Sequence, residues 1–269
     1  MKKQLLVLFL ICSCATSPTG RKQLILVSDS QVSGMGIQSF NQIKKTTPIE
    51  SDPEINKYVK CVVDPLIKAQ EGKTNVKEWE VVVFKDETAN AFALPGGKIG
   101  VHTGILKVAK NDSQLATVLG HEVGHVIAHH GAERISQSVV TQIGMTGVNA
   151  YLAGKATSGG TRQLILAGLG LGTQVGILLP YSRTHESEAD QIGLDLMAQA
   201  GFDPKQGVIL WENMKEASKG KSPPEFLSTH PAEETRIKNL NAQMPGALKT
   251  AEEAHKHGNN PVCKRPKNI

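Results

Sequence analysis

Two histidines one helical turn apart are the residues of this chain most suited to chemistry. His121 and His125 are four positions apart, so on a helix both imidazoles lie on the same side and can bind one metal ion. Glu122 directly follows the first histidine and would lie beside that metal, where it can accept a proton from a polarised water molecule. The pattern predicts a zinc site that activates water, and the alternative is a surface helix with two unrelated histidines.

The flanking residues predict that this segment is helical. Asn111-Asp112-Ser113 supplies a cap, in which Asp112 or Ser113 can accept from the first free backbone amides. Apolar residues then recur at helical spacing, at Leu115, Val118, Leu119, Val123, Val126 and Ile127. Gly120 and Gly124 are poor helix formers, so their presence beside the histidines indicates that something packs or binds close to this helix; the alternative is that they merely admit a neighbouring helix.

A tetrahedral zinc site that activates water needs three protein ligands and leaves its fourth position to solvent. One known pattern places a third histidine six residues after His125, but Gly131 stands there. The better candidate is Glu186, which lies in the acidic stretch 181–190. Asp190 would share a helix face with it, so this carboxylate can accept the second ring N–H of a zinc histidine.

Two residues close to Glu186 in the sequence, Glu188 and His185, have different predicted roles. Glu188 would point about 160° away from it on an ideal helix, which predicts a solvated charge. His185 is the second candidate for the third zinc ligand. An ordinary acidic helix start is the alternative for the whole stretch, but its pairing with the upstream histidines favours a metal site.

Five stretches, in this order along the chain, together resemble one family. They are residues 14–24, 90–97, 121–125, 182–190 and 228–236, and they cover the chain from about Cys14 to Leu240. They are similar to the gluzincin metallopeptidases that include the CaaX prenyl protease, HtpX and Oma. The start at 14–24 resembles the small periplasmic lipoprotein branch of that family, without a C-terminal repeat domain.

The resemblance implies a zinc-dependent endopeptidase of the bacterial cell envelope with one Zn²⁺ per chain. It would hydrolyse extended or misfolded proteins, with Glu122 as the general base, and the outer-membrane assembly machinery is a possible partner. One rival hypothesis is a zinc-stabilised periplasmic chaperone or scaffold that does not cut. Another is an intramembrane protease, which the short apolar segments disfavour.

His230 is predicted to act beside the zinc ligands. It precedes Pro231, which can open a helix, so it lies at a junction between a loop and a helix. From there it could donate a hydrogen bond to the oxyanion of the transition state, or it could occupy the open position of zinc at rest. Arg236 could orient His230 or pair with an acidic neighbour; a surface capping histidine is the alternative. Structural or surface roles are expected for His102, His129, His130, His255 and His257.

A short strand before the zinc helix is predicted to hold the substrate. Residues 91–94 and 98–102 form two strands around a Pro-Gly-Gly turn, and the first is short enough to be an edge strand. Phe92 and Leu94 are expected to face the core, which would leave the backbone of Ala91 and Ala93 free for an incoming peptide. The resemblance adds Asn90 as a substrate ligand. An ordinary hairpin is the alternative.

The N-terminus predicts export. Residues 1–13 combine a basic start with a short apolar run and are typical of a signal peptide. The following Cys14 resembles the acylated residue of a lipoprotein, with Cys12 as the second choice and secretion without lipid as the alternative. Residues 14–30 would then be a lipidated linker, and the expected location is the periplasmic side of the outer membrane.

Length and composition agree with one globular domain at 31–245, and the order of helical and strand patterns along the chain predicts an α+β, mainly helical fold. The zinc helix would lie beside a small sheet with a substrate-pairing edge strand. The chain of 269 residues is 39% hydrophobic and 4% aromatic, enough for a largely aliphatic core. The formal charge of +5 includes Lys2 and Lys3 of the signal peptide and is too small to indicate a nucleic-acid partner.

The sequence also predicts the structure of three other segments. Residues 246–269 are predicted to form a flexible tail, and 131–160 a mobile linker or lid. The apolar segment 164–179 is short for a membrane span and is expected to be buried against the zinc helix. Cys61 and Cys263 would be the cysteines left after lipidation; in an oxidising compartment they could form a disulfide or stay separate thiols.

Overall fold

A computed structural model of the chain describes residues 14–152, 182–217, 226–230, 234–267 and 269. Its strands are β1 (Cys14–Thr16), β2 (Lys22–Leu24), β3 (Glu80–Phe84), β4 (Ala91–Leu94) and β5 (Lys98–His102). Its helices are α1 (Asp29–Thr46), α2 (Pro53–Ala69), α3 (Ile105–Val108), α4 (Asp112–Ile127), α5 (His130–Leu152), α6 (Arg183–Gln199), α7 (Lys205–Ala217), α8 (Phe226–Thr229) and α9 (Glu234–Lys256). The mainly helical α+β class predicted from the sequence is confirmed.

The main sheet has three strands in the order β3–β5–β4. β3 and β5 are parallel, with Val82 opposite Gly100, whereas β4 and β5 are antiparallel, with Phe92 opposite Gly100. β4 is therefore an edge strand, as predicted. A separate hairpin pairs β1 with β2 and places Ala15 opposite Gln23.

Helix α4 lies in the centre of the hydrophobic core, and α6 crosses it at very short range. A Cβ added to Gly120 would lie 3.0 Å from the carbonyl oxygen of Gly193, and one added to Gly124 would lie 2.8 Å from that of Ala189. The backbones of the two helices can approach this closely only because these positions carry no side chain. The two glycines of the zinc helix thus admit a neighbouring helix, which was the alternative considered from the sequence.

Two segments expected to be loose are ordered instead. Helix α5 continues to Leu152, so the predicted lid at 131–160 is helical as far as the structure describes it. Helix α9 continues to Lys256, and beyond it Arg265 donates a hydrogen bond of 2.6 Å to the carbonyl oxygen of Leu106. The structure therefore differs from the flexible tail predicted from residue 246, because helix α9 includes residues 246–256 and the segment beyond it is held by contacts with distant parts of the chain.

A disulfide fixes this C-terminal segment. Cys61 on α2 and Cys263 are joined with a Cα–Cα distance of 5.7 Å, and they are 202 positions apart in the sequence. Cys263 is buried, and its backbone N–H donates to Asp112 at the start of α4. The last residues are thus attached to both α2 and the zinc helix.

The predicted signal peptide at 1–13 and the apolar segment 164–179 lie outside the described residues. Across the ranges that the structure does describe, helices fall short of the length and apolar character needed to span a bilayer.

Candidate active site

Helix α4 positions the first two candidate ligands. Asn111, rather than the predicted Asp112 or Ser113, caps the helix by accepting a hydrogen bond of 2.8 Å from the N–H of Gln114, and the helix begins at Asp112. His121 and His125 then lie on its buried face, with their Nε2 atoms 3.0 Å apart. The four-residue spacing therefore brings both rings to one point.

Helix α6 supplies the third candidate ligand. Ser182 caps it by accepting from the N–H of His185, which starts the helix at Arg183. One Glu186 carboxylate oxygen lies 3.4 Å from His121 Nε2, and the other lies 3.4 Å from His125 Nε2. The structure thus converges three side chains that the sequence separates by as many as 65 positions.

This donor set fits a zinc ion. Asp190 Oδ1 lies 3.0 Å from His121 Nδ1, where it can accept the ring proton of a zinc-bound imidazole, and Nε2 faces the centre. Two imidazole nitrogens and a carboxylate held together out of solvent match the ligands that zinc prefers. One ligand atom each from His121, His125, Glu186 and His230 all lie within 4.8 Å of one another.

Asp190 and Arg236 support the site from behind. Arg236 donates to both oxygens of Asp190 at 2.6 Å, and its Nη1 lies 2.7 Å from Glu186 Oε2. Its guanidinium lies 3.8 Å from the ring centre of Trp211. Of the two roles considered for Arg236, pairing with acidic neighbours matches these contacts.

The charged groups of the site shift one another's pKa values. Burial lowers the pKa of the His121 imidazole, but its bonds to Asp190 and Glu186 outweigh this and raise it to about 9. Burial favours the neutral acid of Glu186, yet contacts with His121, His125 and His230 hold its pKa well below the usual range. Glu186 is therefore a carboxylate, as a zinc ligand must be.

Glu122 lies between the ligands and the sheet. Its Oε2 accepts a hydrogen bond of 3.3 Å from the N–H of Ala93, and its Oε1 lies 3.3 Å from His230 Nε2. Burial raises the pKa of Glu122 above its ordinary value, although His230 and His121 partly oppose the shift. A more basic carboxylate at this place suits a group that accepts protons.

His230 is buried inside the site. Its ring stacks on Phe226 with centroids 4.5 Å apart, and its Nδ1 lies 3.0 Å from Glu186 Oε1 and 3.2 Å from His121 Nε2. A surface capping histidine is therefore excluded. The position is compatible with both roles predicted for His230, since Nδ1 lies among the ligand atoms and Nε2 faces Glu122.

Strand β4 differs from the prediction in which side chains face the main core. Ala91 and Ala93 point into that core, whereas Phe92 and Leu94 pack on the other face of the sheet in a cluster with Phe40. The prediction assigned the two faces of β4 the wrong way round. The side chains on both faces are apolar, so the larger size of Phe92 and Leu94 did not identify the face that meets the main core.

The backbone of β4 nevertheless has the predicted orientation. Asn90 accepts a hydrogen bond of 3.0 Å from the N–H of His102 on β5, and the antiparallel register alternates from there. The N–H and C=O groups of Ala91 and Ala93 therefore face the free edge. The N–H of Ala93 points towards Glu122 and donates a hydrogen bond to its Oε2. A role of Asn90 in holding substrate stays a prediction.

Two other residues of the acidic stretch lie away from the ligand cluster, and the place of Glu188 differs from the prediction. Glu188 is 5% exposed rather than solvated, because the N-terminal hairpin covers the helix face opposite Glu186. Its pKa is raised by burial, but hydrogen bonds led by that of His130 outweigh this and hold it well below the usual value. His185 is directed to Glu133 Oε2, at 3.1 Å, rather than to the ligand cluster.

His130 was expected to have a structural or surface role, and the structure places it inside the protein next to a candidate ligand. It is fully buried, and its Nδ1 lies 2.9 Å from Nδ1 of His125. Its position five residues after His125, at the start of the next helix, was the available signal. The spacing by itself does not show that the two rings meet, because their contact depends on the turn between α4 and α5.

Taken together, the fold and the site define a zincin-type metallopeptidase, in which two histidines of one helix meet a glutamate of a second beside an edge strand. A model of Peptidase family M48 matches residues 53–244. The chain belongs to this family. The predictions of a gluzincin metallopeptidase and of zinc are confirmed at this level.

The chain is also similar in sequence to several curated metallopeptidases. Mitochondrial metalloendopeptidase OMA1 of Schizosaccharomyces pombe is 41% identical over 194 residues, which cover 71% of this chain and 53% of the relative. Metalloendopeptidase OMA1, mitochondrial, of Bos taurus is 32% identical over 260 residues, or 92% and 49% of the two chains. The beta-barrel assembly-enhancing protease of Escherichia coli is 28% identical over 237 residues, or 84% and 47%. The chain spans about half the length of these relatives.

Proposed function

We propose that this chain is a zinc-dependent endopeptidase of the cell envelope that cuts extended segments of proteins. The observation that carries the proposal is the position of Glu122. Its carboxylate lies between the His121–His125–Glu186 cluster and the outward-facing N–H of Ala93. A base, a metal cluster and a backbone pairing edge therefore meet at one point, as hydrolysis of a peptide bond requires.

Each of these residues has a defined part in the reaction. When held by His121, His125 and Glu186, zinc supplies the Lewis acidity that lowers the pKa of water and polarises a peptide carbonyl. Glu122 accepts a proton from the attacking water and passes it to the leaving amine. His230 is close enough to Glu122 to donate a hydrogen bond to the oxyanion once it turns from the ligand atoms.

The edge of β4 suits an extended substrate. An incoming peptide would pair with the outward-facing groups of Ala91 and Ala93 and would add a strand to the sheet. A pocket next to this edge has a largely apolar wall that could take a substrate side chain. Apolar members of its lining are Val32, Val76, Pro95, Val126 and Ala132.

Pairing with β4 predicts an alternating response to N-methylation of the substrate. In a series of peptides methylated at one position each, every second position near the cut should lower kcat/KM by about tenfold, because an N–H that bonds β4 is lost. The peptides methylated at the intervening positions are the controls, since their N–H groups point away from the strand. Equal effects at all positions would contradict strand pairing.

The envelope location rests on the N-terminal residues. The signal-like segment 1–13 and Cys14 favour export and lipidation, and the Cys61–Cys263 disulfide suits an oxidising compartment. One relative is named for β-barrel assembly in a bacterium, so envelope proteins are the proposed substrates and the outer-membrane assembly machinery a proposed partner.

Lipidation at Cys14 has a direct test. The full-length chain, expressed in a bacterium with two membranes, should carry an N-terminal lipid on Cys14 by intact-mass analysis and sediment with outer-membrane fractions. The Cys14→Ser variant should have neither property. A Cys12→Ser variant serves as the control, and it should keep both. Loss of the lipid from the Cys12 variant alone would transfer the role to that residue.

A further inference from the structure

The N-terminal hairpin is joined to the interior by an arginine. Arg21 lies just before β2, and its two terminal nitrogens donate to the two oxygens of Glu133 at 2.8 and 2.6 Å. Its Nε donates to Glu188 Oε2 at 2.9 Å. Glu133 belongs to α5 and Glu188 to α6, so one guanidinium connects the hairpin to both helices.

The contacts continue from Glu188 to a zinc ligand. Glu188 Oε2 lies 3.0 Å from His130 Nε2, and His130 Nδ1 lies 2.9 Å from His125 Nδ1. Thr19 of the hairpin donates to the other oxygen of Glu188. A continuous path of side chains therefore leads from Arg21 through Glu188 and His130 to the rear of the His125 ring.

The other zinc histidine has a similar support. His121 Nδ1 meets Asp190, and Asp190 is held by both donors of Arg236. Each zinc histidine is thus backed by a buried carboxylate that an arginine fixes, directly for His121 and through a further imidazole for His125. We propose that Arg21 and Glu188 are positioning residues of the metal site, and that the N-terminal hairpin is part of the machinery that holds zinc. This inference rests on the proposed role of His125 as a ligand.

The side chains between Arg21 and His125 are buried, which explains how Arg21 can affect the orientation of the His125 ring without touching it. The side chain of Glu188 is 4% exposed and that of His130 is 0% exposed, whereas Arg21 is 23% exposed. Without Arg21, the buried carboxylates of Glu133 and Glu188 lose their shared cation, and Glu188 is held against His130 less firmly, by neutral partners such as Thr19. The ring of His125 then loses its fixed orientation, which weakens a ligand without removing it.

Zinc affinity of the full chain tests the proposal without relying on catalysis. In competition with a chromophoric chelator, Arg21→Met should bind zinc about 10- to 100-fold more weakly than the unaltered chain, the usual effect of losing such a support. Lys22→Met is the matched control, because Lys22 is exposed and its side chain bonds locally to Thr16, while its backbone contact with Arg21 does not depend on the side chain. It should bind zinc as the unaltered chain does. Arg21→Lys retains a cation but not the planar fork, so its affinity should be intermediate.

A double-variant cycle separates positioning from general loosening of the fold. His130→Ala should weaken zinc binding by at least as much as Arg21→Met. Because both act through the same path, adding Arg21→Met to His130→Ala should weaken it by less than twofold more. The Co²⁺-loaded Arg21→Met variant should also show a shifted visible spectrum, since the ring of His125 is reoriented, and Lys22→Met should not.

The outcomes distinguish this inference from the proposed function. Unchanged zinc affinity in Arg21→Met, or effects of the two substitutions that multiply fully in the double variant, would overturn the role of Arg21. Failure of the unaltered chain to bind zinc at all would overturn the proposed function instead. Far-ultraviolet circular dichroism of each variant shows whether the helices are intact, and Arg21→Lys supplies the test if Arg21→Met does not fold.

Discussion

Glu122→Gln is expected to abolish peptide hydrolysis while zinc stays bound. Glutamine has nearly the shape of glutamate, so it can still accept the hydrogen bond from the N–H of Ala93. It cannot take up a proton, and the loss of a general base lowers rates by about 10²- to 10⁴-fold. The measurement is kcat/KM on an unfolded protein substrate or a fluorogenic peptide, together with zinc content by mass spectrometry.

The same variant separates an enzyme from a scaffold. If the chain is a zinc-stabilised chaperone or scaffold, neither the unaltered protein nor Glu122→Gln will cut, and both will bind unfolded proteins equally. If it is a peptidase, the variant should capture substrates that the unaltered protein degrades. Hydrolysis by Glu122→Gln at the full rate would remove Glu122 from the role of base.

Glu186→Ala has the second large expected effect, the loss of zinc. Its two oxygens each lie 3.4 Å from a histidine Nε2, so the substitution removes the only carboxylate donor in the ligand cluster of the described residues. After dialysis against a chelator the variant should retain little or no zinc and show no hydrolysis. Zinc content and the zinc-dependent rise in the unfolding temperature measure the effect.

His230→Ala is the matched control for that loss. It removes another buried member of the same cluster, 3.0 Å from Glu186 Oε1, but leaves two histidines and a carboxylate to bind the metal. Zinc should therefore remain. Loss of zinc from His230→Ala would make His230 an essential ligand, and unchanged zinc in Glu186→Ala would exclude Glu186.

The residues near the metal could be predicted because their signals are local. The spacing of His121 and His125, and that of Glu186 and Asp190, each describe one face of one helix, and helical periodicity is a property of short sequences. The strand bounds at 91–94 and 98–102 were also found, since a Pro-Gly-Gly turn separates them. The two helices were linked by the need for a third zinc ligand and by the family resemblance, since spacing along the sequence alone does not bring them together.

The remaining features depend on contacts between distant parts of the chain. Glu188 was predicted to be solvated because its helix angle is opposite that of Glu186, and only the docking of Arg21, 167 positions earlier, buries it. His130 was assigned no catalytic role because its approach to His125 depends on the turn between two helices. The tail was misjudged for the same reason, since its attachment is a covalent bond to Cys61.

That covalent bond turns most of the polypeptide into a ring. Every candidate ligand, from His121 to His230, lies between Cys61 and Cys263 in the sequence. A single nick anywhere inside the ring would consequently leave one molecule that still carries the whole donor set. A chain nicked in this way by its own activity would run as one band on a non-reducing gel. Its fragments would separate only after a thiol is added.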